Sequence, residues 1–130
     1  MDLISISQKE DTRFETKVRR HHFISDMSLT DGGSDAAPAP AEYLVASLGN
    51  CIGMVISSYC TAHNYGMEKI AISMTYMLAD NPKRIQNITI DIELPENFPS
   101  EKKKVIMNLI KCCPIYNSLH PGMEIDIEFE

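Results

Sequence analysis

The chain has 130 residues, 44% of them hydrophobic and 23% charged, the balance of one soluble globular domain. A net charge of −6 argues against nucleic acid or an anionic membrane surface as the main partner. The first ten residues are polar and alternating, unlike an export signal. With four cysteines in a core-forming chain, reduced thiols in a cytoplasm are expected rather than a disulfide framework.

Residues 3–9 alternate apolar side chains with serines, a strand pattern. Residues 12–18 alternate again, with Phe14, Thr16 and Val18 on one face, and 21–26 make a third short strand. From Ser28 to Ala39 the composition turns to Gly, Asp and Pro, which reads as a loop. Pro40 then suits a first helical turn, and Gly66 suits the position just past a helix end. Between Tyr43 and Tyr59 no side chain is charged, so this helix is expected to be central and buried. Ser47, Asn50, Ser57 and Ser58 break the run, and Ala46, Gly49 and Gly53 favour close packing against protein over a membrane span.

Period two returns in residues 68–78 and 84–94, an antiparallel pair joined through Asp80, Asn81 and Pro82. Ser100 opens a second helix whose stripe is Val105, Ile106, Leu109, Ile110 and Cys113, until Pro114 interrupts it. A short turn follows, and residues 123–130 close the chain as a strand. The order β-β-β-α-β-β-α-β predicts a single α+β domain over residues 1–130.

The cysteines carry the chemistry. Cys51 and Cys60 are nine residues apart on one helix, on opposite faces and about 13 Å apart, beyond the roughly 7 Å between Cα atoms that a disulfide tolerates. Cys112 and Cys113 are adjacent, so an intrachain redox pair joins a helix cysteine to one near 112–113. Cys113 directly precedes Pro114 and so falls at the N-cap of a new helix, where free N–H groups favour a thiolate. Cys51, at mid-helix, needs a cation from elsewhere. The bland alternative is four inert buried thiols, and Cys60 and Cys112 are read as core thiols. Adjacent His21–His22 and Cys112–Cys113 do not match zinc-ligand spacing, so neither metal nor cofactor is expected.

Two stretches carry a family resemblance. GGSDAAPAPAEYLVASLGNC (32–51) and KCCPIYNSL (111–119) resemble the corresponding segments of the OsmC/Ohr proteins, the osmotically induced and organic-hydroperoxide-resistance family, closest to its OsmC-like branch. The resemblance implies antiparallel sheets wrapped around a long buried helix in an intertwined homodimer. It also implies a thiol peroxidase of the oxidative stress response. Cys51 would attack the peroxide and become a sulfenic acid, and Cys113 would resolve it to a disulfide. A dithiol such as a lipoyl group would be the reductant, and organic hydroperoxides the substrates. The peroxidase branches place Glu directly after the proline; here Ala41 stands there and Glu42 follows. Glu42 lies about 13 Å along the helix from Cys51 of its own chain, so it would act across the dimer. No arginine lies between His21 and Cys51, which leaves Arg19, Arg20 and Arg13 as upstream cations. Tyr116 and His120 are further candidates to line the pocket. The alternative reading is a non-catalytic stress or small-molecule-binding protein that uses the apolar dimer pocket.

Overall fold

The first three alternating stretches become strands β1 (Ile4–Glu10), β2 (Arg13–Val18) and β3 (His21–Ser25), paired antiparallel in that order. The computed structural model describes residues 2–65, 70–119 and 125–129, so Gly66 and His120 lie outside the described residues. The chain divides into two units, Met1–Leu44 and Val45–Glu130.

In the first unit the register sets Ile4 by Val18, Ile6 by Thr16, and Thr16 by Phe23. Because successive side chains point to opposite faces, Ile4, Ile6, Phe14, Val18 and Phe23 share one face, and Ser5, Ser7, Glu15, Lys17 and His22 the other. On the polar face Lys9 and Lys17 reach Glu15 at 3.6 and 3.5 Å. Desolvation would raise the Glu15 carboxyl, but the two lysines outweigh it and hold the pKa below its ordinary value. The apolar face stays open: Ile6 is 65% exposed and Ile4 61%. Tyr43 covers one corner, its ring 5.0 Å from Phe23 and its hydroxyl donating to the Ile24 carbonyl at 2.6 Å.

The loop after β3 is held by one carboxylate. Asp26, only 3% exposed, accepts hydrogen bonds from the Thr12 hydroxyl (2.5 Å) and the backbone N–H groups of Met27 (2.7 Å) and Ala36 (3.1 Å). The Thr12 bond, seconded by Ala36, lowers its pKa to about 2. Gly33 is required here, since a Cβ would overlap the Met27 carbonyl.

The second unit contains most of α1 (Pro40–Ala62), then β4 (Ala71–Ala79), β5 (Arg84–Glu93), α2 (Lys103–Ile110), α3 (Pro114–Leu119) and β6 (Ile125–Phe129). Its core draws Leu48, Ile52, Ile56 and Cys60 from α1, Ile88, Ile90 and Ile92 from β5, and Ile106 and Ile110 from α2. Gly49 and Gly53 let β4 come close: a Cβ at Gly49 would collide with the Met74 sulfur, and one at Gly53 would meet Ile72 at 3.4 Å. Helix α1 is long and apolar enough to cross a membrane by length and composition, yet its stripe from Val45 to Cys60 is buried in this core.

The α+β architecture matches the expectation, with two departures. The second sheet, ordered β4-β5-β6, is mixed, because β6 runs parallel to β5 with Ile90 beside Ile127. The crossover through α2 and α3 returns the chain in the same direction, as parallel pairing demands. Nor is α1 buried all round: Ala46, Asn50, Met54 and Ser58 form an exposed line four residues apart, with Met54 68% exposed.

Candidate functional site

Residues of α1 advance by about 100°, so Cys51 sits on the flank of the buried stripe, between Leu48 and the exposed line at Asn50 and Met54. It is half-buried. Cys113 comes from the break between α2 and α3. Pro114 has no N–H to continue the α2 ladder, and the last turn tightens instead, with Cys112 N–H donating to Leu109 and Cys113 N–H to Ile110, both at 2.9 Å. Cys113 thereby becomes the N-cap of α3. Its carbonyl accepts from Asn117 N–H at 3.0 Å, and its Sγ accepts from Tyr116 N–H at 3.4 Å.

These elements bring the sulfurs of Cys51 and Cys113 to disulfide-bonding distance, with Cα atoms 6.4 Å apart across 62 residues of sequence. The separation falls within the range disulfides occupy. Cys113 is completely buried in the second unit's core. The pair lies inside one unit, with Cys51 half-buried and Cys113 in the core, at a separation that permits a disulfide.

The other two cysteines differ from each other. Cys60 is buried, as expected, and burial pushes its thiol pKa up, away from the reactive thiolate. Cys112 is exposed, which corrects its reading as a core thiol. It lies four residues after Asn108 on the solvent side of the α2 stripe, its sulfur 3.8 Å from the Asn108 carbonyl.

The charged candidates all fall in the first unit. Glu42 is exposed, and its Oε1 accepts the Ala39 N–H at 2.9 Å, a reach back from the third helical residue that satisfies an orphan donor. Arg19 and Arg20 form the exposed tip of the β2–β3 hairpin, Arg19 with φ 53°. Arg13 pairs with Glu10 at 3.8 Å, and its buried Nε has no hydrogen-bond partner among the described residues. Tyr116 is half-buried on α3. Its backbone N–H donates to the Cys113 sulfur, a role no side-chain pattern announces.

Comparison with known proteins places this geometry. The sequence profile described as OsmC-like protein matches residues 32–128. No curated protein matches the chain. Among solved structures, a putative osmotic stress induced and detoxification response protein from Psychrobacter arcticus 273-4 superposes with a TM-score of 0.91 at 20% identity, covering 100% of this chain and 96% of that one. An OsmC-like protein of unknown function from Vibrio cholerae gives 0.84 at 14% identity, over 100% and 99%. The organic hydroperoxide resistance protein OhrB of Bacillus subtilis gives 0.69 at 14%, over 100% and 98%. With its profile match running from the loop before α1 to the last strand, this chain belongs to the OsmC-like protein family.

Proposed function

We propose that this protein is a thiol-dependent organic hydroperoxide reductase with a two-cysteine cycle. The observation that carries the reading is the meeting of Cys51 and Cys113 from a mid-helix flank and a Cys-Pro break. The Cys51 thiolate attacks the peroxide ROOH, forming an S–O bond as the O–O bond breaks. The products are a Cys51 sulfenic acid and, after protonation, the alcohol ROH. The Cys113 thiolate then attacks that sulfur, the disulfide forms and water leaves. A dithiol of lipoyl type restores both thiols. The name of the Bacillus subtilis relative supports the substrate class, and the apolar surroundings of Cys113 favour fatty or aromatic peroxides over hydrogen peroxide.

The working unit in this reading is an intertwined homodimer in a reducing cytoplasm. Its support is the uncovered apolar face of the first sheet and the exposed line on α1, which a second copy would cover. In the dimer we assign Arg19 and Arg20 as the cations that favour the Cys51 thiolate, with Glu42 as a carboxylate that acts across the dimer to hold such a cation in place. One observation favours the non-catalytic, small-molecule-binding reading instead: the Glu42 carboxylate is already engaged with its own helix end.

A single assay separates the two. Consumption of cumene hydroperoxide and hydrogen peroxide is followed with dihydrolipoamide for the wild type, Cys51→Ser and Cys113→Ser. The peroxidase reading expects preference for the organic peroxide and loss of about 10³-fold or more in Cys51→Ser. It expects Cys113→Ser to complete one turnover and then stall. Consumption unchanged by Cys51→Ser ends the reading.

A further inference from the structure

The two sulfurs of the pair are not equivalent toward a reductant. Cys113 is completely buried, whereas Cys51 is half-buried on the flank of α1. The Cys113 sulfur already accepts the Tyr116 N–H at 3.4 Å. Cys51 lies inside α1, where backbone N–H groups are committed to the i−4 ladder. Thiol–disulfide exchange depends on which sulfur is accessible and on how well the departing sulfur holds negative charge. Access favours attack at Cys51, and the Tyr116 N–H offsets the burial that would otherwise disfavour a Cys113 thiolate.

We infer that the reducing thiolate attacks Cys51 and that Cys113 leaves, so the mixed disulfide with the electron donor forms on Cys51 alone. This rests on the two-cysteine reading above and adds the direction of the reductive step. The donor thiolate RS⁻ forms a bond to Cys51 Sγ as the Cys51–Cys113 bond breaks, and the electron pair departs on Cys113 as a thiolate held by the Tyr116 N–H. The second thiol of a dithiol donor, as its thiolate, then attacks the donor's own sulfur. That releases Cys51 as a thiolate and oxidises the donor to a cyclic disulfide. The donor's two protons end on the protein thiols or in solvent. The same sulfur thus meets the oxidant in one half of the cycle and the reductant in the other. Exposed Cys112 has no part in it.

The test uses the Cys60→Ala/Cys112→Ser variant, whose tryptic peptides carry one cysteine each. Its disulfide is made with diamide, which requires no peroxidase activity. A brief pulse of 2-mercaptoethanol is quenched with N-ethylmaleimide, and the peptides are mapped by mass. The expected result is mercaptoethanol on Cys51 and maleimide on Cys113, in excess over the reverse by about tenfold or more. An even split, or the adduct mainly on Cys113, overturns the inference. Should the double variant not fold, the wild-type chain with fragment-ion assignment gives the same readout. Peroxide consumption by the same protein separates the two claims. An adduct on Cys51 without peroxide turnover removes the peroxidase reading and leaves the direction of exchange standing. Failure of diamide to join Cys51 to Cys113 removes both.

Discussion

The two three-stranded sheets are written in the same alternating code and reach opposite ends. On β5, Ile88, Ile90 and Ile92 are fully buried, because α1 and α2 bring Leu48, Ile52, Ile56, Ile106 and Ile110 to the same core. In the N-terminal sheet, Ile4 and Ile6 remain mostly exposed, although the register sets them on one face with Val18, Phe23 and a buried Thr16. Alternation thus specifies a face that needs cover without specifying what covers it. The first unit instead holds its shape by polar means, with Asp26 gathering Thr12, Met27 and Ala36.

This contrast can be broken by mutation. The largest effect is expected at Ile90→Ala, which opens a cavity in the second unit's core and costs about 2–5 kcal/mol in denaturant unfolding. Ile6→Ala is expected to leave the stability of a single chain within about 0.5 kcal/mol but to weaken self-association about tenfold, read by sedimentation. Equal losses of single-chain stability from the two substitutions would erase the distinction between the sheets. The smallest effect is expected in acid. The Asp26 carboxyl is lowered from 3.8 to about 2 in the folded chain, so its contribution is complete above the unfolded value and is lost as pH falls through about 2. Urea unfolding between pH 5 and pH 2 should show the wild type losing more stability than Asp26→Asn. Parallel pH curves would remove the clamp from the account.

The sequence made the order of elements legible because each is marked locally: period two for strands, Pro40 for the start of α1, Pro114 for the break beside Cys113. The same local marks placed Cys113 at a helix cap, where its sulfur accepts an N–H. What they could not give is tertiary. The parallel setting of β6 depends on the path of the crossover, and the exposure of Cys112 on which side of α2 faces the core. Arg19 at positive φ is a turn conformation that its side chain does not signal. The meeting of Cys51 with Cys113 lies between these cases. Spacing excluded Cys51–Cys60 and pointed to the 112–113 region, the family resemblance supplied the partner, and the packing of α1 with α2 brought the two within reach.

The account is tested most directly by one equivalent of cumene hydroperoxide added to the reduced wild-type protein, followed by alkylation and peptide mapping. It predicts that two of the four thiols disappear together and that a single cross-link joins the peptides carrying Cys51 and Cys113, leaving Cys60 and Cys112 alkylated. Cys51 carried to sulfinic acid with Cys113 still free, or a cross-link through Cys112, would contradict it.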